Sequence, residues 1–153
     1  MNAGVDVITH FTDTAAVVTA AEERGVASIS FHSDMRKYAP KNDLTGITHH
    51  WGKYYTQVTR EVMAGTWKGQ LFFGGLAEGV LEMAPFGPRV TKDVADLVNA
   101  KARDIASGRL QVFAGPIKDQ KGVLRVAPGA TYPMAEIGKM DWLAEGIIGG
   151  NAQ

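Results

Sequence analysis

Two short β-like runs, Val5–Ile8 and Val26–Phe31, flank a single helix-length segment that ends at Gly25. The second run alternates apolar and polar residues, the period of a pleated strand. Between the runs, Val17, Val18 and Ala21 form one apolar stripe. Asp13 or Thr14 is placed to cap that helix, because a short oxygen side chain accepts a free first-turn N–H. Gly25 suits the left-handed conformation that ends helices. Strand, helix and strand in this order imply a parallel pair with a right-handed crossover. The chain is therefore read as α/β.

The rest of the chain extends this pattern. Leu44–Thr48 is a third strand candidate, weakened by its length and by Gly46. A helix is predicted over 53–64, where Tyr54, Val58 and Val62 are spaced by four, Tyr55 widens the stripe and Gly65 stops it. Leu71–Phe73 and Val80–Met83 read as two strands joined by a turn containing Gly74 and Gly75. Pro85 and Pro88 then break the chain. Thr91 caps a helix to about Ser107, with Val94, Leu97, Val98, Ala102 and Ile105 on one face, and Gly108 closes it. Leu110–Phe113 reads as a strand, Asp119–Gly122 as a turn, and Val123–Val126 as a strand. A last helix is predicted over 134–145, with Met134, Ile137 and Leu143 facing inward. No repeat, low-complexity tract or domain linker is present in the sequence.

A length of 153 residues fits one ordinary domain. Sixteen basic and sixteen acidic residues cancel, which argues against a nucleic-acid partner. The chain has no cysteine, so disulfides and thiolate metal sites are excluded. It shows no signal-peptide pattern, lipidation cysteine or membrane-spanning run, and the expectation for the chain as written is a soluble one.

All four histidines fall in the first third, in the clusters Thr9–Asp13, Phe31–Asp34 and Thr48–Trp51. Each cluster closely follows a β-like run. If the runs are parallel strands, the clusters share one sheet edge, where open α/β sheets bind ligands. A metal site could use His10, His32 and either His49 or His50. No HExxH or other tight spacing supports it, and ordinary polar rim residues are the simpler reading. Asp13 divides evenly between a helix cap and a ligand contact. Asp34 has less structural excuse: it follows a strand, precedes a polar loop, and could accept two hydrogen bonds. Trp51 stands outside both the strand and the helix stripe, which makes it the best stacking candidate. Phe11 is next, and Phe31 is read as core. Ser33 has His32 beside it, but neighbours in an extended chain point to opposite faces. There is no GxSxG elbow, and Gly74, Gly75 and Gly79 do not make a GxGxxG loop. No constellation argues for an enzyme.

Several segments resemble one family together. Gly4–Ile8 followed by His10–Thr14 is similar to the "GADVI…HTDS" stretch of the basic membrane protein family. Ala20–Val26 and Ser33–Met35 resemble its "AAEEKGV…SDM". Asp43–Thr45 with Trp51–Tyr55 resembles "LT…NWGPYY". Gly65–Lys68, Glu82–Pro85 and Gly115–Asp119 also fit. The likeness covers nearly the whole chain, and its specificity lies in the order and spacing of the pieces. These proteins are substrate-binding lipoproteins of ABC transporters, including purine-nucleoside receptors.

The resemblance implies one lobe of a type I periplasmic binding protein fold, a parallel sheet with flanking helices plus a hairpin or crossing-strand segment. Only the carboxyl-terminal half is matched, and Met1–Asn2 stands where a complete protein would be mid-domain. The expected layout is a single lobe over 1–153. Its strand–helix–strand core covers 1–65, crossing strands, a helix and a hairpin cover 66–130, and a terminal helix covers 131–153. The chain is thus expected to be truncated or subdivided, without the amino-terminal lobe, signal peptide or lipid-bearing cysteine.

By resemblance, Asp34 and His49 are the polar residues after the second and third strands that meet a purine. The family commonly has Lys or Asp at the third position, so His49 departs from the pattern. Phe11, Thr12 and Asp13 line the same cleft, Ser33 sits beside Asp34, and Trp51 fits the purine-binding variants. No catalytic residue, metal or cofactor is assigned. The implied partners are a purine base or nucleoside, an ABC permease, and either the missing amino-terminal lobe or a second copy of the chain. The implied location is the periplasm or cell surface, or the cytoplasm if the chain is expressed as written. Two other readings remain open at this point: an interaction or assembly protein that keeps the lobe without transport, and a metal-dependent enzyme using the histidine rim.

Overall fold

The computed structural model describes residues 4–149; the expectation placed on Met1–Asn2 lies outside them. The chain divides into two units, the first ending at Ser107 and the second starting at Gly108.

The first unit holds β1 (Val7–Thr9), α1 (Ala16–Glu23), β2 (Ala27–His32), β3 (Asp43–His49), α2 (Trp51–Met63), β4 (Leu81–Met83) and α3 (Lys92–Ala106). The sheet order is β1-β2-β3-β4. β1–β2 and β2–β3 are parallel, and β4 runs antiparallel to β3. The α/β reading and its first strand–helix–strand unit hold. The weakly patterned third strand is the longest of the sheet, from Asp43 to His49.

α1 lies on β2 and buries Val18 and Ala21. Val18 packs with Met35 and Ala39 of the loop after β2. Ser28 and Ser30 on one face of β2 are buried, whereas Ile29 on the other face is 36% exposed. Glu22 ties the helix to the loop before β3. Its carboxylate accepts the backbone N–H groups of Lys41 at 3.2 Å and Asn42 at 2.9 Å, and the Asn42 amide at 2.9 Å. Asp43 is buried, accepts the Ser28 hydroxyl at 2.9 Å through Oδ1, and leaves Oδ2 without a partner. Burial pushes its carboxyl above the ordinary value, against the pull of Ser28 and Ser30.

Several local expectations need correction. Asp13 does not cap α1; the helix begins after Ala15, and the Thr14 hydroxyl accepts the Ala16 N–H at 3.2 Å. Thr91 occupies the cap position of α3, yet its side chain makes no cap bond. α2 starts at Trp51, two residues before the predicted boundary. Leu71–Phe73 is not a strand. Phe72 instead stacks on Tyr54 of α2 at 4.0 Å, and Leu71 and Phe73 are exposed. α2 and α3 bury no residue.

The second unit holds β5 (Ile117–Lys118), β6 (Leu124–Val126) and α4 (Met134–Ile137). β5 and β6 form an antiparallel hairpin, as the turn at Asp119–Gly122 predicts. The Asp119 carboxylate accepts the N–H groups of Lys121 at 2.8 Å and Val123 at 3.0 Å, and Arg125 Nε at 2.7 Å. Leu110–Phe113 is not a strand; only Ala114 forms a bridge there, to Thr131. The last helix stops at Ile137, far short of Glu145. Residues 143–145 bond the hairpin instead: the Leu143 carbonyl accepts the Gln120 N–H at 3.0 Å, and the Glu145 N–H donates to the Lys118 carbonyl at 2.9 Å. Trp142 lies against Arg125 and, edge-on, against Tyr132.

Candidate functional site

Parallel pairing of β1, β2 and β3 brings their carboxyl ends to one edge of the sheet. Each of these ends carries a histidine: His10, His32 and His49. At His32 the backbone is left-handed, with φ of 72°. That conformation costs a non-glycine residue about 1–2 kcal/mol. Strain of this kind concentrates at functional sites.

Aromatic and imidazole rings form a continuous strip along this edge. Phe11 and Phe31 lie 4.3 Å apart between centroids, Phe31 and His32 4.1 Å, and His32 and His49 4.8 Å. Phe31 also meets His49 edge-on at 5.2 Å. His49 and Trp51 are 6.1 Å apart with planes within 10°, and Trp51 stacks in turn on Tyr55 at 6.1 Å. The strip is open to solvent at both ends, where Phe11 is 81% and Tyr55 61% exposed, and Trp51 within it is 40% exposed. Phe31, read from sequence as core, is half-buried and links three members of the strip.

Two imidazole nitrogens at the carboxyl ends of these strands lack partners. His49 Nδ1 and His10 Nε2 are buried without a hydrogen bond. His10 Nδ1 lies 3.2 Å from the Thr12 hydroxyl. An unpaired buried donor or acceptor costs about 1–3 kcal/mol, a penalty that a ligand or water can relieve. His50 turns away from this group, with Nε2 3.0 Å from the Thr48 hydroxyl and 3.3 Å from the Glu82 carboxylate.

Asp34 sits at the same edge but is already engaged. Arg36 holds both of its oxygens, and this pairing draws its carboxyl below the ordinary value. Arg36 escaped sequence reasoning. Its signal was the spacing of two from Asp34 in a turn, where a side-chain carboxylate commonly meets the backbone two residues on. Ser33 and Asp13 are exposed loop residues.

The structure therefore joins Phe11, His49 and Trp51 through Phe31 and His32 into one strip, sets His10 and Thr12 together after the first strand, and leaves Asp34 paired with Arg36. Such a surface can stack a flat ring and exchange hydrogen bonds through imidazole nitrogens. Among the described residues no three His, Asp or Glu groups are placed to hold a metal ion. No described helix is long and apolar enough to cross a membrane.

Comparison with known proteins matches the chain to a family. A family profile described as "ABC transporter substrate-binding protein PnrA-like" matches residues 1–113. A purine-binding protein of Brucella abortus is 42% identical over 119 residues, which are 78% of this chain and 34% of that protein. A Haloferax volcanii protein named as an ABC transporter glucose-binding protein is 31% identical over 112 residues, 73% of this chain and 29% of its own length. The chain spans about a third of the length of these curated relatives. Among solved structures, a transcriptional activator of the comK gene from Bacillus halodurans superposes with a TM-score of 0.64 at 19% identity, covering 71% of this chain and 39% of that one. A solute-binding protein of an ABC transporter system from Conexibacter woesei gives 0.54 at 18% identity, covering 72% and 38%. These two likenesses concern the fold alone.

Proposed function

Because the chain belongs to the family of PnrA-like ABC transporter substrate-binding proteins, we propose that its first unit forms one wall of a ligand cleft, and that the ligand is a purine base or nucleoside. The activity is binding, not catalysis. The observation that carries this reading is the strip of rings from Phe11 to Tyr55 along the carboxyl edge of the parallel strands. A base stacked on an aromatic ring gains about 1–3 kcal/mol. Trp51 is one exposed platform, Phe11 is another at the far end of the strip, and the free nitrogens of His49 and His10 meet polar atoms of the ring. Thr12, Asp13 and Ser33 line the loops beside it.

The cleft is completed by a second lobe, and closure of the two lobes around the ligand stabilises the bound state through contacts made only when closed. One lobe alone makes about half of those contacts, and affinity falls to about the millimolar range. The complete assembly works at the cell surface or in the periplasm and delivers ligand to an ABC permease.

The test is an NMR titration of the chain with adenosine, inosine, guanosine and glucose, followed at the backbone amides of His49 and Trp51. The nucleosides are expected to shift these signals at millimolar concentration, and glucose is not. Trp51→Ala should weaken nucleoside binding about five- to hundredfold. Glucose binding as strong as that of the nucleosides would overturn the purine assignment. Submicromolar binding by a monomer would overturn the one-wall arrangement.

A further inference from the structure

The second unit has an open cavity of about 250 Å³. Asp119, Lys121, Arg125, Asp141, Trp142 and Leu143 are among the residues that line it. All of them lie in the second unit, whereas the ring strip belongs to the first. Backbone bonds tie the two sides of the cavity together: the Gln120 N–H donates to the Leu143 carbonyl at 3.0 Å, and the Glu145 N–H to the Lys118 carbonyl at 2.9 Å. The volume lies below the range of about 300–1,000 Å³ usual for drug-sized ligands, so the cavity suits a smaller molecule.

Both carboxylates of the lining are already engaged. Asp119, its side chain 4% exposed, accepts the N–H groups of Lys121 at 2.8 Å and Val123 at 3.0 Å, and Arg125 Nε at 2.7 Å. Asp141 has an interaction of its own. The cations keep donors to spare. Among the described residues, Lys121 Nζ has no hydrogen-bond partner, and neither do the Nη nitrogens of Arg125. Arg125 is held in place by the buried Asp119, and its guanidinium lies 5.7 Å from the centre of the Trp142 ring. Tyr132 meets the same indole edge-on at 5.8 Å. A guanidinium fixed in this way keeps its planar fork in one orientation and loses little freedom on meeting an anion. The cavity therefore joins two cationic side chains with unspent donors to an apolar wall of Trp142 and Leu143.

We propose that this cavity is a second binding site, and that its ligand is a small organic acid with a flat apolar body. The ligand carboxylate takes charge-assisted bonds from Lys121 and Arg125. Its apolar body lies against Trp142 and Leu143, and a ring there adds a stacking contact that a bare carboxylate lacks. An amine of the same shape is disfavoured, because it meets two cations and finds both carboxylates engaged. The proposal is independent of the purine reading. Asp119 is a positioning residue: it holds Arg125 and the turn that carries Lys121.

The experiment is an NMR titration of the whole chain with benzoate, acetate and benzylamine, followed at the backbone amides of Lys121 and Leu143. Benzoate should shift both signals saturably at millimolar concentration. Acetate should bind about two- to tenfold more weakly, and benzylamine should leave the signals in place. Lys121→Gln should weaken benzoate about two- to fivefold, the size of an exposed ion pair. Because Lys121 Nζ has no partner to lose, this change keeps the hairpin, which the rest of the spectrum verifies. Trp142→Leu should bring benzoate down towards acetate. The absence of a saturable shift with benzoate overturns the site. Benzylamine binding as strong as that of benzoate overturns the selection for an acid, as does benzoate affinity unchanged by Lys121→Gln. Benzoate shifts at His49 and Trp51 in place of Lys121 and Leu143 put the ligand on the ring strip and overturn the second site.

Discussion

Gly46 lies so close to Ser30 across the β2–β3 pair that a Cβ at position 46 would stand 2.1 Å from the Ser30 hydroxyl oxygen and 2.7 Å from its carbonyl oxygen. The hydroxyl can rotate away, but the carbonyl belongs to the strand. The absence of a side chain is therefore what lets β3 approach β2 at this register. Gly46→Ala should destabilise the chain by about 1–3 kcal/mol, the usual cost of overpacking. Urea unfolding would show it as a lowered midpoint, and an unchanged midpoint would refute the close approach.

The same strand shows what sequence could and could not supply. A glycine within a short run reads as weakness, because periodicity counts side chains and says nothing of the neighbour they would strike. The start of the fold was legible because alternation at Val26–Phe31 and the stripe of Val17, Val18 and Ala21 are local signals. Phe72 was misassigned to a strand because its apolar neighbours match that pattern, while its partner, Tyr54, is distant in sequence. Residues 143–145 were placed in a helix for the same reason; their hydrogen bonds go to a hairpin more than twenty residues earlier. At the site, the histidine clusters were visible as composition. The Asp34–Arg36 pair was not, because two opposite charges two residues apart read equally as a solvated loop.

Asp43 should make stability depend on pH in an unusual direction. Burial raises its carboxyl above 3.8, with Asp34 adding to the rise and Ser28, Ser30 and His10 opposing it. The folded chain thus holds this proton where the unfolded chain has released it. The contribution of Asp43 is greatest below the unfolded value, falls as pH rises through the window up to the raised value, and is flat above it. Asp43→Asn should be more stable than the wild type at pH 7, and the two should converge near pH 3. Urea unfolding at both values measures this, and the absence of any gain at pH 7 refutes it.

Asp119 carries the opposite sign. Burial alone would raise its carboxyl, but Arg125 and the amides of Val123 and Lys121 outweigh it, and the net direction is downward. Its contribution is present above the ordinary carboxylate value and is lost as pH falls through the folded one. Asp119→Ala removes three bonds that close the β5–β6 turn. Trypsin should then cut after Lys121 and Arg125 roughly tenfold faster, because local opening of the hairpin exposes them. Equal cleavage rates would mean that the hairpin is held by other contacts.

His32 should be a site where stability and function oppose each other. Its left-handed backbone is costly for any side chain but glycine. His32→Gly is expected to raise stability by up to about 1 kcal/mol despite the loss of ring contacts with Phe31 and His49. The same change should weaken nucleoside binding, because His32 bridges the two halves of the strip. Thermal melts and the NMR titration together test the trade. A less stable variant would show that the ring contacts outweigh the backbone strain.

The apolar side chains of α2 and α3 point to the behaviour of the isolated chain. Tyr55, Val62 and Met63 on α2 are 61%, 58% and 83% exposed, and Val94 and Leu97 on α3 are 46% and 58% exposed. Both helices have an apolar stripe suited to burial, yet neither buries a residue. Contiguous apolar surface of more than a few hundred Å² commonly marks an interface. For residues 1–153 taken by themselves in solution, the available partner is another copy of the same chain. Light scattering at high concentration should give a mass above that of one chain, falling towards it on dilution. Val62→Lys should return the mass to one chain at the same concentration, and because Val62 is exposed the change should leave the melting temperature nearly unchanged. A wild type that scatters as a single chain at high concentration would show that these stripes are tolerated in water.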